Sequence, residues 1–112
     1  MMLTKILILA DQKAKRLSHK ISLSKIKPNS EFTLVKSFEQ AISELDNNNF
    51  SLIVLDNLVC DAGVHRKRSD AISELKEKSN NLPVVIIGDE REHALRALRD
   101  GADGFIPRQW LK

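Results

Sequence analysis

The stretch "SLIVLDNLVCDAG" (Ser51–Gly63) decides the reading of this chain. Its apolar run, Leu52–Leu55, has no polar alternation, as expected of a strand buried on both faces. It ends in one carboxylate, Asp56, after which a loop begins. Such a carboxylate can be a nucleophile, a metal ligand or a polar stop. The segments on either side narrow the choice.

Before it stand "KILIL" (Lys5–Leu9), a second uninterrupted β-rich run, and "FTLVK" (Phe32–Lys36). After it stand "VVII" (Val84–Ile87), preceded by Pro83, and "GFI" (Gly104–Ile106). Helical segments fill the gaps. In "DQKAKRLSHKISLSK" the residues Ala14, Leu17 and Ile21 fall at i, i+3 and i+7, which predicts an amphipathic helix buried on that stripe. Pro28 and Asn29 end it. Ser37 and Gln40 form a capping box for a helix carrying Ala41, Ile42 and Leu45. "SDAISELKEKS" is a third helix. In "EREHALRALRD" the stripe is Ala94, Leu95 and Leu98, with Asp89 as N-cap and Gly101 as the C′ glycine. "AISEL" occurs twice, at Ala41–Leu45 and Ala71–Leu75, each copy leading through an "NN" turn to an apolar strand. One helix–turn–strand unit is used twice.

Strict alternation of strands and helices predicts a parallel sheet with helices on both faces. Sites in such folds lie beyond the carboxyl ends of the strands. Asp11, Asp56 and Asp89 follow the first, third and fourth strands, so all three are expected on one rim.

With 112 residues, 42% of them hydrophobic, the chain suits a single domain, 1–112, with its own core. Cys60 is the one cysteine, so an internal disulfide is excluded and the cytoplasm is the expected compartment. "MMLTKILILA" lacks a small-residue cleavage site and reads as a strand rather than a signal peptide. The net charge of +3 is mild. With no helix-turn-helix and no interleaved aromatics, neither direct nucleic-acid binding nor membrane attachment is expected. His19, His65 and His93 lack metal-ligand spacing.

Four segments in order, "ILILAD", "FSLIVLDNLV", "LPVVIIGDE" and "LRDGADGFIPR", resemble the receiver domain of two-component response regulators over nearly the whole chain. The resemblance implies a three-layer, flavodoxin-like α/β fold with a five-stranded parallel sheet. It also implies a non-enzymatic signalling role in a phosphorelay. In that family a histidine kinase supplies a phosphoryl group to an aspartate, and Mg²⁺ is held by an acidic pair. Asp56 falls on the phosphoacceptor, and Asp11 on the second acid of the pair, making Asp11 and Asp56 the implied metal ligands. Ala10 replaces the first acid, Gly88 the hydroxyl residue and Arg108 the lysine. Arginine keeps the charge but is planar and larger.

These departures describe a degenerate receiver, or pseudo-receiver, acting as a protein-interaction module with lost or weak phosphotransfer. The alternative is a working phosphoacceptor at Asp56 with Mg²⁺. A third reading, a small-ligand or nucleotide site at the rim, lacks a Gly-rich phosphate loop after Leu9. The bland roles are a strand-end carboxylate for Asp56, an N-cap for Asp11 and a loop thiol for Cys60.

Two surfaces suit a partner. "VHRKRSD" lengthens the loop before the third helix and carries Arg66, Lys67 and Arg68, a docking patch for an acidic protein or phosphate. Arg91, Arg96 and Arg99 would extend it. At the other end the chain stops at "RQWLK", where the family has a fifth helix. Apolar surface on the first, fourth and fifth strands is then expected to face water unless the sequence is one piece of a longer protein whose last helix covers it, or a partner or second copy does, with Phe105 and Trp110 among the contact residues.

Overall fold

The computed structural model describes residues 4–10, 12–56, 68–89 and 91–111. Five strands, β1 (Thr4–Leu9), β2 (Ser30–Val35), β3 (Leu52–Asp56), β4 (Val84–Gly88) and β5 (Gly104–Pro107), form one sheet in the order β2-β1-β3-β4-β5. Every pairing is parallel. The connecting helices are α1 (Lys13–Ile26), α2 (Phe38–Asn47), α3 (Arg68–Lys78) and α4 (Arg91–Arg99), and a 3₁₀ turn, Arg108–Leu111, follows β5. This is the expected three-layer fold.

The two faces of the sheet are unequal. Leu7, Leu9, Ile53, Leu55, Val84 and Ile86 point to the side where α2, α3 and α4 supply Ala41, Leu45, Ile72, Leu75 and Ala97. Ile6, Ile8, Val54 and Ile87 point to the other, where α1 contributes Leu23. The repeated "AISEL" serves α2 and α3 alike, since Ala41, Leu45, Ala71 and Leu75 are all buried in the larger cluster. The turns that follow differ. Asn80 and Asn81 both take positive φ, 57° and 65°, whereas Asn48 is extended at φ −140°.

The capping box of α2 forms in a displaced version. Ser37 Oγ accepts from Gln40 N at 3.2 Å, while Gln40 Oε1 accepts from Lys36 N at 2.9 Å. Gly101 has φ 109°, as a C′ glycine requires, and Ala102 N donates to Ala97 O across it.

Three expectations fail. The stripe assigned to the core on α1 faces water: Ala14 is exposed, and Leu17 and Ile21 are 42% and 57% exposed. The buried face carries His19, Ser22 and Leu23 instead. On α4, Leu95 and Leu98 are 65% and 50% exposed and Ala97 is buried. On α1 the sheet-facing residues are His19, Ser22 and Leu23 and on α4 it is Ala97, so Leu17, Ile21, Leu95 and Leu98 turn outward. Finally, the apolar surface of β1, β4 and β5 beside α1 is largely covered: Ile6, Ile8 and Ile87 are buried, and Val85 and Ile106 are half-buried. The 3₁₀ turn, which packs against α1, stands at the end of β5 where the family's fifth helix would begin.

Candidate functional site

Register brings the rim together. Leu9 pairs with Leu55, Asp56 with Ile87, and Gly88 with Pro107. Asp56 is therefore the last residue of the central strand, and Arg108 projects from the first position beyond β5, two strands away. Asp89 follows β4 between them.

The side chains close this gap. The Arg108 guanidinium takes Asp56 end-on, Nη1 to Oδ2 at 2.7 Å and Nη2 to Oδ1 at 3.1 Å. Its Nε donates to Asp89 Oδ1 at 2.6 Å. One planar group thus uses its fork on one carboxylate and its remaining edge on a second, a geometry that a lysine ammonium does not supply. From the opposite side, His19 Nε2 lies 2.8 Å from Asp56 Oδ2. The carboxylate accepts, so Nε2 is the donor of this hydrogen bond. The other ring nitrogen, Nδ1, is buried without a hydrogen-bond partner among the described residues. Arg16 Nη1 donates to the carbonyl of Ala10 at 2.8 Å, fixing the start of α1 to the end of β1.

Asp56 has no solvent exposure, whereas the Arg108 side chain is 26% exposed and that of Asp89 52% exposed. A buried carboxylate without compensation is costly, and charge pairing with satisfied hydrogen bonds removes that cost. The carboxylate in turn raises the Arg108 pKa above its usual value, chiefly through the hydrogen bond to Asp56, so the guanidinium stays charged throughout the accessible pH range.

Among the sequence-derived site residues, Asp56 and Arg108 meet directly. Phe105 is half-buried on β5 and packs against the larger core. Asp11, Arg66 and Lys67 lie outside the described residues, as do the side chains of Arg68 and Trp110. The N-cap of α1 is Gln12, not Asp11, and Gln12 makes no side-chain capping bond. Asp89, expected as an N-cap, stands two places before the first residue of α4 and gives Oδ1 to Arg108. His19 is the site residue that sequence reasoning missed. Its signal was its place on α1 three and four residues before Ser22 and Leu23, a second stripe that polar side chains disguise.

The described residues do not suit Mg²⁺. That ion requires hard oxygen ligands in near-octahedral array. Here the Asp56 oxygens accept from an arginine and a histidine, Ala10 offers no carboxylate, and among the described residues no group of three acidic, histidine or cysteine side chains is placed to hold a metal ion.

No family model matches the sequence, and no curated protein matches it. Solved structures do. A CheY-like response regulator receiver domain protein from Methanospirillum hungatei superposes with a TM-score of 0.71 at 18% identity, covering 96% of this chain and 82% of that one. NtrX from Brucella abortus, solved with ADP, gives 0.79 at 26% identity, with this chain spanning 24% of its length and 96% of this chain covered. A response regulator from Burkholderia pseudomallei, solved with a phosphorylated aspartate, a calcium ion and citrate, gives 0.71 at 14% identity over 94% of this chain and 59% of that one. The fold is that of the response-regulator receiver domains, as the sequence resemblance implies.

Proposed function

We propose that this chain is a pseudo-receiver, a signalling module that holds one fixed shape and works by binding a protein partner rather than by accepting phosphate. The observation that carries this reading is the bidentate pairing of Arg108 with a fully buried Asp56. In-line phosphoryl transfer needs an approach path to a carboxylate oxygen and a cation that neutralises the developing charge on the phosphoryl group. Arg108 stands on that path. It places its charge on Asp56 itself rather than on an incoming group, and His19 takes a further hydrogen-bonding direction on Oδ2.

The same contacts favour a fixed rim. Arg108 joins the ends of β3 and β4 to the end of β5, and His19 adds α1. With Gly88 in place of a hydroxyl residue, no side chain is there to swing toward a phosphoryl group and transmit a change to Phe105. Partner binding is then independent of a histidine kinase. The basic segment Arg66, Lys67 and Arg68, together with Phe105 and Trp110, remains the proposed contact set for an acidic protein partner. No helix among the described residues is long and apolar enough to cross a membrane.

The test is beryllofluoride, which mimics the phosphoryl group, added with millimolar Mg²⁺ to the uniformly labelled chain. The expected amide spectrum is unchanged around Asp56. A saturable, Mg²⁺-dependent shift centred on Asp56 would overturn the reading in favour of a working phosphoacceptor.

A further inference from the structure

Two surfaces on opposite faces of the sheet complement one another. The first is the outer side of α1. Ala14, Leu17 and Ile21 form an exposed ridge pointing away from His19, Ser22 and Leu23. From Gln12 to Ser30 the chain carries Lys13, Lys15, Arg16, Lys20, Lys25 and Lys27 and no acid. Lys13 and Lys20 fall one turn before and after Leu17, and Lys25 one turn after Ile21, so the ridge is flanked by cations. Leaving two branched aliphatics in water on a helix whose buried face is only His19, Ser22 and Leu23 gives the fold nothing.

The second surface is an open groove of about 370 Å³ between α2 and α3. Phe38 and Ile42 line its apolar part, and Glu39, Asp46 and Glu74 its acidic part. α2 carries Glu39, Glu44 and Asp46 and no cation. The exposed ridge on α4, Leu95 and Leu98, is flanked by Arg96 and Arg99 and so repels α1 rather than receiving it.

We propose that a second copy of this chain is the occupant: the Leu17–Ile21 ridge of α1 docks into the α2–α3 groove of a neighbouring molecule, with Lys13 and Lys20 facing Glu39 and Asp46. α1 packs on the smaller core and α2 and α3 on the larger, so one molecule offers both halves at once on opposite faces. The contact is head-to-tail, and it adds molecules in series until a ring closes or the supply ends. Charge pairing across it makes the association sensitive to salt, because the charges are exposed and screening acts within about 10 Å at 0.1 M.

The experiment is light scattering coupled to gel filtration on the full chain, at low and high salt, over a range of protein concentrations. Wild type is expected to gain mass with concentration at low salt and to return to the monomer at high salt. Lys13→Glu with Lys20→Glu removes one half of the contact, and Glu39→Lys with Asp46→Lys the other. All four positions are exposed, so circular dichroism is expected to show both variants folded. Each variant alone stays monomeric because its ridge and groove carry like charge. An equimolar mixture gains mass as wild type does, because the reversed ridge of the first variant fits the reversed groove of the second and the intact ridge of the second fits the intact groove of the first. A wild type that stays monomeric at low salt, variants that associate like wild type, or a mixture that stays monomeric would each overturn the proposal. So would a monomeric wild type that binds vesicles of anionic lipid through α1.

Discussion

Asp56, Arg108, His19 and Asp89 act as one unit, and their energetics follow from which of them is buried. Removing Arg108 takes the charge partner from a carboxylate with no solvent exposure, while the His19 contact stays. Arg108→Ala is expected to destabilise the domain toward the lower end of the ~3–5 kcal/mol typical of a broken buried pair, because the guanidinium is itself partly exposed. Removing both charges is different. Asp56→Ala added to Arg108→Ala should recover part of that loss, since no buried ion is left unpaired. Urea denaturation of the two single variants and the double variant checks this, and a double variant less stable than Arg108→Ala would contradict it. Half of this unit was legible from residue identity. Asp56 stood out by its place after an uninterrupted apolar strand, and Arg108 because a resemblance gave its position meaning. His19 did not, because a histidine on a lysine-rich helix reads as solvated unless the carboxylate it meets, 37 residues away in sequence, is already in view.

At the scale of elements, the strands were legible and the helix faces were not, for a physical reason. A doubly buried strand carries a continuous apolar run, and nothing else in a short chain looks like "KILIL" or "LIVL". α1 carries two stripes. The aliphatic one, Ala14, Leu17 and Ile21, has the stronger period, but the tertiary contacts of His19, Ser22 and Leu23 decide its orientation. Leu17→Glu should therefore change stability by no more than about 0.5 kcal/mol, whereas Leu23→Ala should cost about 2–5 kcal/mol as a core truncation. Paired thermal melts separate the two, and the stripe read from sequence predicts the reverse order. The turn before β5 supplies a pH-dependent case. Asp103 Oδ2 pairs with Lys76 and accepts from Val84 N at 2.9 Å, and the Lys76 hydrogen bond, foremost, holds its pKa below the usual value. A carboxylate with a depressed folded pKa contributes stability above its unfolded pKa and loses it as pH falls through the folded one. Asp103→Ala should cost about 0.5–1.5 kcal/mol near neutrality, and its gap from wild type should narrow in urea titrations below about pH 4.

Across the whole molecule, one sheet separates two cores of different depth. Three helices cover the side of Leu7, Leu9, Ile53 and Leu55, and α1 with the neighbouring 3₁₀ turn lies on the side of Ile6, Ile8 and Val54. The order β2-β1-β3-β4-β5 puts β3 in the middle, so Asp56 terminates the strand on which both cores rest. Its pairing with Arg108 thereby couples the rim to the centre of the fold. The alternation of segments was enough to place the rim, because parallel connections leave little freedom in where strand ends go. It could not weigh the two faces, since that depends on how far each helix turns. The imbalance has a measurable consequence. Leu75 sits fully buried in the deeper core, and Leu23, 7% exposed, in the shallower one. A cavity beneath several helices collapses less readily than one under a single helix, and the cost of a truncation grows with the cavity that persists. Leu75→Ala should accordingly cost more than Leu23→Ala, by about 1 kcal/mol within the spread known for such truncations. Amide exchange should rank the strands likewise, with β3 and β1 the slowest and β2 and β5, the two edges, the fastest. Faster exchange in β3 than in the edge strands would show that the rim pairing does not reach the core.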